Sequence, residues 1–89
     1  MTTELYRVKN KQGKKTLYQI RLITEGKSVY GVVERLDLPS GFEPGFSLNS
    51  LNREIHYSHS DKIPGYVKDE IERLVIKHKG KANVKRRFK

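Results

Sequence analysis

The residues of this chain that could do chemistry fall into two kinds, a short polar run and several groups of basic side chains. The polar run is HYSHSD at residues 56–61, which combines two imidazoles with hydroxyls and a carboxylate. Such groups serve acid–base catalysis or metal binding. On a strand, His56 and His59 point to opposite faces, so they would share a metal only if the strand ended between them. We interpret the run as the polar end of a strand and predict no metal, no cofactor and no catalytic residues.

The basic side chains give a stronger signal than the polar run. The chain has 19 Lys and Arg against 10 Asp and Glu, a net charge of +9. Residues 1–27 and 81–89 each carry a balance of +5, whereas residues 28–62 are slightly acidic. The candidate binding residues are Arg7, Lys9, Lys11, Lys14, Lys15, Arg21, Arg35, Lys81, Lys85, Arg86, Arg87 and Lys89. A basic surface of this kind attracts polyanions, and nucleic acid is the commonest in a cell. A role in solubility alone is the alternative.

Three similar phrases indicate the elements that position these residues. They are LYRV at 5–8, LYQI at 17–20 and VYGV at 29–32, each rich in β-branched and aromatic residues. The segments between them are short, polar and contain a glycine, as hairpin turns do. If each turn has three residues with glycine last, the turns are Lys11-Gln12-Gly13 and Thr24-Glu25-Gly26. The sequence therefore predicts a three-stranded antiparallel meander.

These turns also predict the register, and with it the two faces of the sheet. Residues directly opposed across two strands share a face. The predicted pairs are Tyr6–Tyr18, Val8–Thr16, Tyr18–Val32, Ile20–Tyr30 and Leu22–Ser28. The other face would then be basic and open, with apolar residues between the charges. Its predicted members are Arg7, Lys9, Lys15, Gln19, Arg21 and Arg35 with Leu5, Leu17, Val29 and Val33.

The rest of the chain predicts one further strand and one helix. Residues 39–52 are rich in Pro, Gly, Ser and Asn and form a predicted loop, in which Phe42 and Phe46 either fill the edge of the core or face a partner. Within this loop, Phe46-Ser47-Leu48 either adds a short strand or folds back as a cover over the sheet. Residues 53–59 alternate as a fourth strand does. A helix is expected from about Ile63 or Pro64 to Gly80, because Ile63, Val67, Ile71, Leu74, Val75 and His78 recur at helical spacing.

The predicted fold is α+β: an antiparallel meander of three to four strands packed on one face by a C-terminal helix, ββββα. Residues 1–80 form the single domain, and residues 81–89 a flexible basic tail, because that segment is too polar and charged to pack. The chain contains no cysteine and no apolar run that could span a membrane. These features favour a cytoplasmic protein.

The predicted order of elements resembles two nucleic-acid-binding families. One is the transcriptional coactivator fold, which holds single strands on a curved sheet backed by a C-terminal helix. The other is the stage V sporulation protein G family, which REIHYSHSDKIPGYVKDEIERL at residues 53–74 resembles in its strand, polar break and helix. The resemblance implies an architecture compatible with nucleic-acid binding, and no residue roles are transferred from it.

The sequence thus predicts a small non-enzymatic protein that binds DNA or RNA mainly through phosphates, on either single or double strands. The one predicted helix uses a face for the core, which argues against reading of bases by a helix-turn-helix. A protein-interaction module of the phage or plasmid inhibitor or adaptor type, with an acidic partner, is the alternative. Apolar residues on the open face could instead pair two copies as a homodimer.

Overall fold

In a computed structural model, which describes residues 1–38 and 43–86, an antiparallel sheet is followed by one α-helix. The α+β prediction is confirmed, with five strands where three to four were expected. The additional strand, β4, lies within the segment that was predicted to be a loop. The elements are β1 (Thr2–Lys9), β2 (Lys15–Glu25), β3 (Ser28–Arg35), β4 (Gly45–Leu48), β5 (Ile55–Tyr57) and α1 (Gly65–Lys79). The strand order is β1-β2-β3-β4-β5, so each strand pairs with its neighbours in the chain.

The first hairpin has the predicted turn but a different register beyond it. Gly13 has φ +79°, and Lys9 lies opposite Lys15 as the three-residue turn requires. A β-bulge between Arg7 and Lys9 then shifts the register by two residues, so Tyr6 lies opposite Ile20 and not Tyr18. A shift of two residues keeps every side chain on its predicted face. The faces of β1 and β2 are therefore as expected, although their pairing is not.

The second hairpin turns later in the chain than predicted, and this reverses the faces of β3. Its loop has two residues, Gly26-Lys27, because Glu25 pairs with Ser28. Gly26 has φ +59° in the first loop position, where type II′ turns require glycine. The register differs from the predicted one by three residues, an odd number, so every β3 side chain points to the opposite face. Val29 and Val33 are accordingly buried, whereas Tyr30 and Val32 lie on the open face, and the predicted assignment of β3 was wrong.

The core lies between the sheet and α1, as predicted. Its buried residues are Val8, Ile20, Leu22, Val29, Val33, Phe46, Ile63, Val67, Ile71, Leu74, Val75 and Val84. Gly31 makes room for one of them: a Cβ there would lie 2.7 Å from the Phe46 ring and 2.0 Å from the Arg21 carbonyl oxygen. Phe46 thus fills the core, while Phe42 lies outside the described residues. Gly80 ends the helix at φ +90°, and its N–H donates to the Ile76 carbonyl.

The segment after the helix packs against the domain as far as Arg86, which differs from the expected free tail. Val84 is 5% exposed and belongs to the core. The backbone N–H of Lys85 donates to the Arg53 carbonyl at 2.6 Å, and Glu54 and Lys85 form an isolated parallel bridge. The buried Val84 side chain and the backbone hydrogen bond from Lys85 to Arg53 together hold this otherwise polar segment against the domain. In the part of the chain that the structure describes, no helix combines the length and apolarity needed to cross a membrane.

Candidate functional site

Five basic side chains lie close together in sequence on the hairpin formed by β1 and β2. They are Arg7, Lys9, Lys11, Lys14 and Lys15, all exposed, which we call the hairpin cluster. The pairing of β2 with β3 ends at Tyr18, which lies opposite Arg35. The part of β2 before Tyr18, and the turn that precedes it, therefore extend beyond the end of β3. The cluster therefore lies at one end of the sheet, on a projection that a ligand can approach from both faces.

Local hydrogen bonds fix the shape of this hairpin. The Asn10 side-chain oxygen accepts from the backbone N–H groups of Gln12, at 2.9 Å, and of Lys14, at 3.0 Å. The Thr16 hydroxyl donates to the Val8 carbonyl, and Val8 is fully buried in the core. An asparagine that binds its own turn and an anchored strand hold the loop in one conformation. The basic side chains thus extend from an ordered backbone.

The hairpin cluster has an uncompensated positive charge. Within residues 1–38 and 43–86, no carboxylate lies within ion-pair distance of any of its five members. Arg7 donates from Nε to the Thr16 carbonyl at 2.7 Å, which leaves its charge unbalanced. Lys9 and Lys15 are directly opposed on the same face of the sheet, an arrangement that destabilises a β-pair when both residues carry the same charge. An anion bound between them would remove this repulsion.

Arg21 and Arg35, the other two predicted strand residues, are engaged by carboxylates. Arg21 lies on the open face as predicted and binds Glu34 at 2.6 Å. The hydrogen bond from Gln19 lowers the pKa of Glu34, and the hydrogen bond from Arg21 lowers it further by a smaller amount. Arg35 lies on the helix side of the sheet, because β3 is reversed, and its predicted place on the open face was wrong.

Arg35 is held at the end of β3 by two contacts. It binds Asp37 at 2.9 Å, and its guanidinium lies 5.6 Å from the centre of the Tyr18 ring. The hydrogen bond to Asp37 raises the pKa of Arg35 above its usual value. Asp37 occupies N–H groups of the guanidinium that a phosphate would otherwise use, so Arg35 is less available than the hairpin cluster.

The predicted tail residues lie far from the hairpin cluster. Lys85 pairs beside β5, whereas the cluster begins on β1, at the other edge of the sheet. Four strand spacings separate β1 from β5, about 19 Å. Lys85 lies 3.4 Å from Glu54 and Arg86 lies 3.9 Å from the buried Glu72, while Lys81 is exposed. Arg87 and Lys89 fall outside the described residues. The structure therefore does not bring the described tail residues and the hairpin cluster together.

The open face of the sheet carries residues that the predicted register had placed in the core. Leu5 and Leu17 are 57% and 46% exposed, as the prediction requires, but Tyr30 and Val32 take the place of Val29 and Val33. Ile23, which the prediction assigned to neither face, lies opposite Tyr30 on the open face. The Tyr30 hydroxyl donates to Glu25 at 3.1 Å, and this bond raises the pKa of Tyr30. The sequence signal for the observed faces of β3 was Gly26, since glycine also suits the first position of a two-residue turn.

The polar run at residues 56–61 is divided between two kinds of structure. His56 lies on β5 opposite Ser47, and β5 ends at Tyr57. His59 follows with a left-handed backbone at φ +54° and precedes a short 3₁₀ turn, Ser60–Lys62. Among the residues that the structure describes, no three His, Asp or Glu side chains come close enough to hold a metal ion.

Comparison of this chain with protein families, curated proteins and solved structures finds no match.

Proposed function

We propose that this domain is a small, non-enzymatic nucleic-acid-binding protein that contacts phosphates through the hairpin cluster. The observation that supports the proposal is the arrangement of five basic side chains within residues 7–15 on one ordered hairpin, without a carboxylate partner in the described chain. The opposed Lys9 and Lys15 add to it, because their repulsion is a cost that a phosphate between them would offset.

The proposed mode of binding is through the backbone of the nucleic acid. Lysine carries a compact charge on a flexible side chain, so it binds phosphate as a point charge and does not distinguish bases. The only α-helix of the described chain buries Val67, Ile71 and Leu74 against the sheet, so that face is unavailable for a groove. The net charge of +9 steers polyanions to the protein, while Arg21, Arg35, Lys85 and Arg86 contribute after exchanging a carboxylate for a phosphate. The absence of cysteine agrees with a cytoplasmic location.

The test is fluorescence anisotropy of the full-length protein with labelled single-stranded DNA, duplex DNA and RNA of equal length. Each titration is repeated over a series of salt concentrations. Phosphate binding requires that the logarithm of the affinity fall linearly with the logarithm of salt concentration. The ranking of the three ligands then identifies the class that is bound. Affinity that does not change with salt, or no binding at low salt, would refute the proposal.

A second candidate is a protein-interaction module with an acidic partner. The observation that favours it is the exposure of Leu5 and Leu17 beside basic residues of the open face, since apolar residues ringed by charge are typical of protein interfaces. Under this function, substitution of Leu5 by Ser would weaken the complex more than substitution of Lys11 by Gln. Under the first function the order is reversed, so the two substitutions separate the candidates.

A further inference from the structure

The two edge strands of the sheet, β5 and β1, differ in how far other segments of the chain pair with them. β5 has three residues, and the segment around Lys85 pairs with the backbone just before it. β1 has eight residues, and within the described chain it pairs on one side only, with β2. Unpaired edge strands offer backbone N–H and C=O groups to any extended chain, so proteins generally cover or guard them. The long edge of this sheet is the one left open.

A groove of about 400 Å³ lies along the C-terminal half of this open edge, from Leu5 to Lys9. Leu5, Arg7 and Lys9 line it from the open face of the sheet, and Tyr6 lines it from the helix side. Residues of both faces border the groove, so it runs along the edge of β1 itself and not over one face. Glu70 and Arg73 of α1 complete the lining.

The charge of the groove favours an acidic occupant. Arg7, Lys9 and Arg73 line the groove with three positive charges against one negative charge from Glu70, which Arg73 binds through Nε at 3.0 Å. Glu4, on the helix side of β1 beside the groove, adds a second negative charge and lies 3.1 Å from His78 of α1. The excess positive charge therefore lies on the open-face side, at Arg7 and Lys9. A second copy of this chain would place two domains of charge +9 edge to edge, which electrostatic repulsion opposes. An extended segment with carboxylates at alternate positions instead complements the groove.

The β-bulge limits the length of the segment that fits. The pairing of β1 with β2 is regular from Thr2 to Arg7 and is interrupted before Lys9. A bulge twists and guards an edge, so the regular part is the part that can accept another strand. The expected occupant therefore has about six residues in contact.

We infer that β1 is a strand-addition site for an extended acidic segment of a partner protein. The segment pairs with the backbone of Thr2–Arg7 and adds a sixth strand to the sheet. Carboxylates on one of its sides meet Arg7 on the open face, and those on the other meet Arg73 of α1. This site shares Arg7 and Lys9 with the hairpin cluster, but the backbone pairing at Thr2–Arg7 does not depend on phosphate binding.

The probe for the test is an eight-residue peptide of alternating Val and Glu, added to uniformly ¹⁵N-labelled full-length protein. We expect amide shifts along Thr2–Arg7 and slower hydrogen exchange at the β1 amides that face away from β2. A control peptide with alternate amides N-methylated keeps the charge but cannot complete a strand ladder. It should lose the binding. Equal binding by both peptides, shifts confined to residues 9–15, or no binding would each refute the strand-addition site.

A substitution in the groove provides a second measurement. Arg73→Gln should weaken binding of the Val/Glu peptide about threefold, the loss expected for one exposed ion pair. Lys81→Gln removes the same charge from an exposed site outside the groove and should leave the affinity unchanged. Equal losses in the two variants would show attraction by net charge alone and would overturn the inference. A peptide-independent dimer that shifts the same β1 amides would also overturn it, in favour of a second copy at this edge.

Discussion

The double substitution Lys11→Gln/Lys14→Gln should remove two phosphate contacts without altering the fold. The turn that carries these lysines is held by the Asn10 side chain and by Gly13, whose φ of +79° few other residues tolerate. Both lysine side chains are exposed and have no ion-pair partner among the described residues. Their loss therefore changes the charge of the hairpin cluster while its backbone stays in place.

The expected magnitude follows from counterion release. If all five members of the hairpin cluster contact phosphates, the slope of log affinity against log salt is about −4.5 for duplex DNA and about −3.5 for a single strand. Between about 50 and 200 mM salt, a slope of −4.5 lowers the affinity about 500-fold. With three phosphate contacts left, the slope for duplex DNA becomes about −2.7, and the same increase in salt lowers the affinity about 40-fold.

The assay is the anisotropy titration over a salt series, carried out on wild type and variant together. The matched control is Lys27→Gln/Lys77→Gln, which removes two exposed lysines outside the hairpin cluster; Lys27 lies in the turn at the other end of the sheet. The control should retain the wild-type slope. Equal slopes for all three proteins, or equal reductions in both variants, would refute phosphate binding by this hairpin.

Three further predictions concern the fold. Gly31→Ala should lower the free energy of unfolding in urea by about 3 kcal/mol, because the added methyl overlaps the Phe46 ring and a backbone carbonyl. If the Gly31→Ala variant were as stable as the wild type, the packing of Phe46 would not require the absence of a side chain at residue 31. Val84→Ala should cost about 2 kcal/mol by the same measurement, as expected for a buried valine, whereas a free tail would give no change. The lowered pKa of Glu34 stabilises the fold above its usual value of 4.5, and this contribution is lost as the pH falls through the lowered pKa. Glu34→Gln should therefore flatten the fall in stability below about pH 5, and an unchanged pH profile would contradict a stabilising bond from Gln19.

The class of fold follows from patterns that the sequence displays locally. Alternating β-branched and aromatic phrases gave the meander, and an apolar stripe ending at Gly80 gave the helix. β4 was one of two alternatives for Phe46-Ser47-Leu48, and the sequence did not decide between them because the stretch is short and lies in a segment rich in Pro and Gly. Its pairing depends on Phe46 entering the space beside Gly31, a contact between distant residues that local propensity does not encode.

The faces of the sheet show why register is harder to predict than strand existence. Gly13 and Gly26 each fit a turn of two or three residues, and the sequence does not distinguish these lengths. An error of two residues at the first hairpin was harmless, but an error of three at the second moved Arg35, Val29 and Val33 to the other face. Lys11 and Lys14 are exposed as expected, because loop lysines are exposed in any register.

The ion pairs of the candidate site could not be derived in the same way. Glu34 with Arg21, and Glu54 with Lys85, join residues 13 and 31 positions apart. These contacts depend on the register and on the path of the segment after α1. A count of basic residues therefore overstates how many lack a carboxylate partner, since Arg21, Arg35, Lys85 and Arg86 each lie near one.

The agreement between strand order and chain order has a consequence for the folding rate. Each strand pairs with the next one in the chain, through loops of two to nine residues, so the sheet forms by successive short closures. Proteins dominated by such local pairings have low contact order and fold faster than sandwiches or barrels of similar size. Only the docking of α1 and the Glu54–Lys85 bridge require longer closures. In stopped-flow refolding we therefore expect the sheet to form within milliseconds, with the segment around Val84 joining the core last.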